Sequence, residues 1–165
     1  MKFKNTLIRM RHVDTTLGSV TLAASAAGLI GLWFDQQRHS PDTTGWQPDA
    51  TDPVLAEAAT QVVDYFAGRR SHFDLPLDLS HGTAFQQSVW QALLAIPAGS
   101  TTSYGALSAK VGKPAAVRAV GAAVGRNPIS VIVPCHRVVG ADGSLTGYAG
   151  GLDRKTALLT LEGAL

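Results

Sequence analysis

Segments typical of strands occupy the start of this chain and segments typical of helices follow them, and this order restricts the fold more than any other feature. Residues 20–24 and 29–34 are short apolar runs separated by a turn at 27–28, which predicts a β-hairpin. Pro53 then opens a run with helical spacing of apolar side chains that reaches about Ala67. We therefore expect the first part of the chain to be a small α/β unit with antiparallel strands and a polar loop before its helix.

Three helices are predicted in the second part of the chain. Thr83 is the expected N-cap of the first helix. Ser103 is the expected N-cap of the second helix, which ends at Gly112. The third helix runs from Ala115 to about Gly125. A short helix, a tight turn and a helix of small residues form the pattern of a helix-turn-helix. Because most such pairs are simply two packed helices, the pattern alone leaves DNA binding open.

Arg118 stands out on the third helix because small side chains surround it. Gly121 and Gly125 each destabilise the helix by about 1 kcal/mol relative to alanine. The close approach of a protein or nucleic-acid backbone would explain why glycine occupies these positions. Arg118 projects beyond these neighbours. It is either a solvated charge or a side chain that enters the DNA stack or contacts a phosphate.

Composition limits the kinds of site that the chain can carry. Its 165 residues include one cysteine, which excludes an internal disulfide and a multi-cysteine zinc site. Residues 1–81 hold seven Lys or Arg against nine Asp or Glu, and residues 82–165 hold seven against three, giving formal charges of −2 and +4. The basic half suits a polyanion such as DNA, although charge alone is better explained by chance.

The hydropathy pattern favours a cytoplasmic protein. The chain has no run of the roughly 20 apolar residues that would span a bilayer. Residues 1–10 contain cations but lack the apolar core and cleavage site of a signal peptide. We therefore expect no contact with a membrane.

The cysteine follows a run of apolar, β-branched residues. Residues 129–133 are predicted to form a buried strand, and Pro134 fixes the backbone before Cys135. A lone cysteine is most often an inert, buried side chain. Here His136 and Arg137 place a base and a cation beside the thiol, and because the thiolate is the nucleophilic form, a reactive site is the competing interpretation.

The segment Pro-Cys-His-Arg-Val at 134–138 resembles the acceptor motif of the O6-alkylguanine-DNA alkyltransferases. The likeness extends in order and spacing over residues 82–165, whereas the earlier residues are similar only in their layout. It implies a small ribonuclease H-like α/β domain over residues 1–78 and a mostly helical, DNA-binding domain over residues 79–165. The matching positions include Gly82-Thr83, Val89-Trp90, Ile96-Pro97, Ser103-Tyr104, Arg118 to Gly121, Asn127-Pro128, Thr146 to Tyr148, Lys155 and Leu161 to Gly163.

The resemblance also implies a mechanism of DNA repair by direct reversal. Cys135 would take the alkyl group irreversibly from O6-alkylguanine, His136 would deprotonate the thiol through a water, and Glu162 would orient the imidazole. Tyr104 would help to rotate the nucleotide out of the duplex and would protonate the leaving guanine, and Asn127 would act as a structural hinge. No metal or cofactor is implied, and the expected protein is a monomer that reacts once.

The same resemblance assigns the contacts with DNA. The partner would be double-stranded DNA, bound in the minor groove, with Arg118 filling the gap in the stack. The backbone at Cys135, Val138 and Ala149 would read the edge of the base. DNA contacts fall on Tyr104, Arg118, Ala119, Ala123, Arg126 and Arg137, and the alkylguanine pocket on Tyr104, Pro134, Val138, Tyr148, Ala149 and Gly150.

Two other functions compete with this interpretation. A non-catalytic, alkyltransferase-like protein would bind the lesion without transfer, but that class lacks the acceptor cysteine. A cysteine hydrolase would pair Cys135 directly with His136, but adjacent residues of an extended chain point to opposite faces. The number of turnovers separates the three: many for a hydrolase, one for an alkyltransferase and none for a binding protein.

Overall fold

The computed structural model describes residue 3 and residues 7–165. The predictions about residues 1–10 partly concern positions 1, 2 and 4–6, including two lysines of the charge count, and these lie outside the described residues. In the part of the chain that is described, no helix combines the length and the apolar character needed to cross a membrane.

The first part of the chain forms a small sheet. Strands β1 (Arg9–Thr15), β2 (Gly18–Ser25) and β3 (Gly28–Phe34) make an antiparallel meander, and the two-residue β4 (Gln47–Pro48) adds to β1 in parallel. The sheet order is β3-β2-β1-β4. The predicted hairpin of β2 and β3 is confirmed, with its turn at 26–27. β1 is absent from the prediction because charged side chains interrupt its apolar pattern.

Helix α1 (Pro53–Phe66) packs on this sheet as its sequence predicts. Asp52 caps the helix by accepting a hydrogen bond from the Leu55 amide, and Pro53 follows at the first helical position. The Asp52 carboxylate also pairs with Arg9 of β1 at 2.6 Å. This pair fixes the start of the helix to the sheet, and the end of the helix then points Tyr65 into the core.

The second part of the chain is mostly helical. Helices α2 (Ala84–Leu93), α3 (Tyr104–Lys110) and α4 (Val117–Gly125) confirm the three predicted helices, and α3 and α4 form the helix-turn-helix pair. Thr83 and Ser103 are the caps as expected. The last helix, α5 (Leu152–Leu161), and the parallel pair β5 (Thr102–Ser103) with β6 (Val138–Val139) are absent from the prediction.

The prediction of a strand over residues 129–133 is wrong. Only Ile129 makes a single bridge, to Leu32 of β3, and Val131 has a φ of 72° that no strand adopts. The Asn127 side chain donates to the Val133 carbonyl at 2.7 Å and accepts from the Ile129 amide at 3.0 Å, so it replaces a strand partner. The segment is apolar because it is buried, and a short apolar run does not by itself distinguish a strand from a buried turn.

The two parts of the chain share one hydrophobic core. Residues of β2, β3 and α1 pack in the same cluster as residues of α2, α4 and α5. At the edge of the sheet, the Leu32 amide donates to the Pro128 carbonyl and the Ser130 amide donates to the Leu32 carbonyl. The sheet therefore supports the backbone that leads to Cys135. The boundary at residues 78 and 79 stays a prediction.

Candidate active site

Cys135 opens a 3₁₀ turn, Cys135–Arg137, and lines a cavity of about 160 Å³, here called the Cys135 cavity. The residue is only 6% exposed, so its access to solvent is through this cavity. A cavity of roughly 150 Å³ holds a molecule the size of benzene. The Cys135 cavity therefore accepts a ring-sized group beside the sulfur. Its other lining residues are Arg38, His39, Tyr104, Gly121, Val124, Gly125, Asn127, Gly147, Tyr148 and Ala149.

The thiol of Cys135 is neutral at rest. Burial raises its pKa to about 11, although the Asn127 amide and the charge of Lys155 both favour the thiolate. A pKa of about 11 makes thiolate formation near pH 7 cost roughly 5 kcal/mol. The site therefore needs a base, and the cation that acts on the sulfur is Lys155 rather than the predicted Arg137.

Lys155 is a functional residue to which the sequence assigned no role. Its side chain is fully buried, and Nζ donates to the carbonyl oxygens of Val138 at 2.6 Å and Thr146 at 2.7 Å. Burial lowers its pKa to about 8, against the opposing influence of Cys135. The signal in the sequence is a lysine on the same face of α5 as Leu158 and Leu159, which are buried.

His136 lies next in the turn and forms a buried pair with Glu162. Its Nε2 is 2.9 Å from Glu162 Oε2, and the imidazole is fully buried. Burial lowers the pKa of His136, although Glu162 opposes the change. A neutral ring that donates from Nε2 has an acceptor at Nδ1, and Nδ1 has no hydrogen-bond partner among the described residues. The imidazole is therefore set up to accept a proton at Nδ1.

Arg137 points into the protein, and its burial contradicts the prediction that it contacts DNA. It is 6% exposed, and its guanidinium donates to both Glu162 oxygens at 2.8 Å and to the Ile96 carbonyl at 2.6 Å. Burial raises the pKa of Glu162, but hydrogen bonds from Arg137, His136 and Tyr65 outweigh burial and lower it to about 2. Arg137 thus keeps the carboxylate charged behind His136.

Three of the six residues assigned to the alkylguanine pocket line the Cys135 cavity, namely Tyr104, Tyr148 and Ala149. Val138 does not line it, because the residue is fully buried and both its amide and its carbonyl have partners within the protein. Pro134 instead lines a larger groove of about 610 Å³ behind the turn, here called the rear groove. Gly150 lies under Tyr148, where a Cβ atom would come within 2.8 Å of the tyrosine ring.

The N-terminal part supplies a wall of the cavity that sequence reasoning missed. Arg38 and His39 line the cavity, and the Arg38 amide donates to the Ala149 carbonyl at 2.9 Å. His39 has a φ of 57°, which is uncommon outside glycine. Gln37 holds this turn with its side-chain amide, which accepts from the Phe34 amide and donates to the Arg38 carbonyl. Nothing in the sequence of this loop indicated the contact.

The surface of α4 carries Arg118 and Ala119 as exposed residues, and Arg126 is exposed at its end. Ala123 is only 3% exposed and its carbonyl accepts from Trp90 Nε1 at 2.8 Å, so its prediction as a DNA contact is wrong. A Cβ at Gly121 would meet only ordinary contacts. One at Gly125 would meet nothing within 4 Å, so packing within the described residues does not require either glycine.

Comparison with known proteins places this geometry in a family. A family model described as 6-O-methylguanine DNA methyltransferase, DNA binding domain, matches residues 84–164, and one described as its ribonuclease-like domain matches residues 8–79. A methylated-DNA–protein-cysteine methyltransferase of Mycobacterium tuberculosis is 50% identical over 156 residues, covering 94% of this chain and 93% of the relative. One from Methanosarcina acetivorans is 45% identical, covering 92% and 96%.

A solved structure has the same architecture. The crystal structure of Mycobacterium tuberculosis OGT in complex with DNA matches with a TM-score of 0.87 and 49% identity, covering 94% of this chain and 93% of that chain. The match spans both parts of the chain, so it supports the arrangement of the sheet against the helices as well as the helix-turn-helix.

Proposed function

The chain belongs to the 6-O-methylguanine DNA methyltransferase family and is a methylated-DNA–protein-cysteine methyltransferase that repairs DNA by alkyl transfer, and we propose that Cys135 accepts the alkyl group. The substrate is O6-alkylguanine in double-stranded DNA, with O4-alkylthymine as a second candidate. The observation that carries the proposal is a lone cysteine that lines a ring-sized cavity and is followed in the same turn by a buried histidine paired with Glu162.

The proposed reaction is a displacement at the alkyl carbon. His136 accepts the thiol proton at Nδ1 through a water, and Glu162 stabilises the imidazolium from Nε2. The sulfur forms a bond to the alkyl carbon, the bond from that carbon to O6 breaks, and the leaving guanine takes a proton from Tyr104. Lys155 stabilises the thiolate before attack.

The product of this reaction is a thioether on Cys135. The imidazole of His39 and the phenols of Tyr104 and Tyr148 also line the cavity, but such groups do not break the carbon–sulfur bond of a thioether. Each molecule is therefore expected to react once, and transfer is stoichiometric and irreversible.

Access to the alkylated base requires its rotation out of the duplex. Extrusion costs a few kcal/mol, and less for a damaged base. We propose that α4 enters the minor groove, that Arg118 fills the gap in the stack and that Ala119 and Arg126 lie against the backbone. The exposure of Arg118, Ala119 and Arg126 supports this assignment.

The base is proposed to lie between Tyr104 and the loop of Tyr148 and Ala149. The Ala149 carbonyl is already bonded to Arg38, so its amide is the backbone group left for the base edge. A monomer in the cytoplasm is expected for this function, and both points stay predictions.

Mass spectrometry of the intact chain tests the proposal directly. After mixing with a duplex that contains one O6-methylguanine, the wild type should gain one methyl group, and peptide mapping should place it on Cys135. The matched control is Cys135→Ser, which keeps the size of the side chain and should bind the duplex without gaining mass. A folded wild type with unchanged mass contradicts transfer, and if it still binds the lesion selectively, it is a binding protein.

A further inference from the structure

Tyr65 connects the N-terminal helix α1 to the proposed proton relay. The residue is 1% exposed, and its hydroxyl donates to Glu162 Oε2 over 2.5 Å. The same carboxylate oxygen lies 2.9 Å from His136 Nε2. A side chain 97 residues away in sequence thus shares an acceptor atom with the histidine.

The position of this hydroxyl is fixed by aromatic packing. The Tyr65 ring contacts Phe66 edge-on at 5.2 Å and Phe73 at 5.3 Å between ring centroids. A phenylalanine would fill the same space in this packing without reaching the carboxylate. The hydroxyl is therefore separable from the hydrophobic role of the ring, and what it adds is one hydrogen bond to a charged acceptor.

We propose that Tyr65 is a positioning residue of the relay, whose hydroxyl shares the charge of Glu162 and thereby limits the basicity of His136. This inference rests on the proposed function, in which His136 takes the proton of Cys135. It assigns the N-terminal part a share in the proton transfer in addition to its supporting role.

The other charged groups around His136 stay in place when the hydroxyl is removed. Arg137 in the same turn and Lys155 on α5 both disfavour the imidazolium, and Glu162 favours it. Arg137 still holds both carboxylate oxygens. Loss of the Tyr65 bond therefore leaves more negative charge on the oxygen that faces His136, which raises the pKa of the imidazole.

The test is Tyr65→Phe, studied by the pH dependence of single-turnover methyl transfer and by 15N NMR of the His136 ring. Both the acidic limb of the rate profile and the titration of the imidazole should move to higher pH, while the rate well above that limb stays close to that of the wild type. The matched control is Phe66→Leu, which removes aromatic packing from the same site and leaves the hydroxyl in place.

The outcomes separate this proposal from the one before it. Unchanged profiles in Tyr65→Phe, or an equal displacement in Phe66→Leu, overturn the role of the hydroxyl. If the wild type transfers no methyl group, the proposed function fails, yet the NMR titration still reports whether Tyr65 controls His136. If Tyr65→Phe does not fold, its thermal midpoint reveals this. A fluorinated tyrosine at position 65 is then the second variant. Its hydroxyl is a stronger hydrogen-bond donor, so the acidic limb of the rate profile and the titration of the imidazole should both move to lower pH.

Discussion

At the scale of single residues, the chemistry of Cys135 depends on a lysine that is buried with it. Lys155 donates to the carbonyl oxygens of Val138 and Thr146 and contributes the positive charge that favours the thiolate. Burial works against both groups, since it raises the pKa of the thiol and lowers that of the ammonium. The two groups compensate for part of each other's desolvation.

Lys155→Met should make Cys135 a weaker nucleophile. Loss of the cation raises the pKa of the thiol, and methyl transfer should fall roughly tenfold or more, because hydrogen bonds and pairs with charged groups contribute about 1.5–3 kcal/mol. The pH dependence of thiol alkylation by iodoacetamide measures the change without DNA. Lys110→Met, which removes an exposed lysine at the end of α3, is the control, and an unchanged thiol titration in Lys155→Met would contradict the role.

At the scale of elements, helix α4 is divided between two tasks. Val120, Ala123 and Val124 are buried and hold the helix against the core, where Trp90 bonds the Ala123 carbonyl. Arg118 and Ala119 face outward. Because a helix repeats every 3.6 residues, its buried and exposed residues lie on different faces. Only the exposed face is available to DNA.

Arg118→Ala should separate extrusion of the base from chemistry. Repair of O6-methylguanine in a duplex should slow roughly tenfold or more, since stacking lost on extrusion costs a few kcal/mol and the arginine offsets part of it. Reaction with free O6-benzylguanine should stay at the wild-type rate. Arg69→Ala removes an exposed cation that lines the rear groove and should change neither rate; equal losses on both substrates in Arg118→Ala would remove the stack-filling role.

At the scale of the whole molecule, the N-terminal part is built into the site. It supports the segment before Cys135 through Leu32, supplies Arg38 and His39 to the cavity wall and reaches Glu162 through Tyr65. Contacts run in the other direction as well, since Arg154 of α5 bonds the Leu17 carbonyl. Separation of the two parts is therefore expected to disturb the site as well as the core.

Acid should destabilise the molecule through Glu162, which joins α1, the Cys135 turn and α5. The carboxyl has an ordinary pKa of 4.5 and a folded pKa of about 2, so its contribution is present above about pH 4.5 and is lost as the pH falls toward 2. The contribution is at most about 3 kcal/mol. Urea unfolding of the wild type should show this loss between pH 5 and about 2.

Glu162→Gln isolates this contribution from those of the other carboxylates. The variant should be less stable than the wild type at pH 7 and should lose less stability on acidification. Asp153→Asn, at an exposed position on the same helix, should retain the wild-type slope. The same slope in Glu162→Gln and in the wild type would show that the Glu162 network does not control acid stability.

Local signals along the chain were enough to predict several of the helices. Caps at Thr83 and Ser103, the proline at Pro53 and helical spacing of apolar residues located four helices, and the motif around Cys135 identified the family. Each of these signals lies within a few residues of the element that it specifies, so it can be recognised in the sequence without knowledge of the fold.

The side chains that meet around the cysteine could be identified only in the folded chain. Arg137 bonds Glu162 inside the protein, and Lys155 is the cation that favours the thiolate. Arg38 lines the cavity and Tyr65 bonds Glu162, although both belong to the N-terminal part of the chain. Residues 129–133 are a buried turn and not a strand, because Asn127 satisfies their backbone groups. Partners this far apart in sequence leave no periodic signal, and burial sets the charge of each group only after the chain has brought them together.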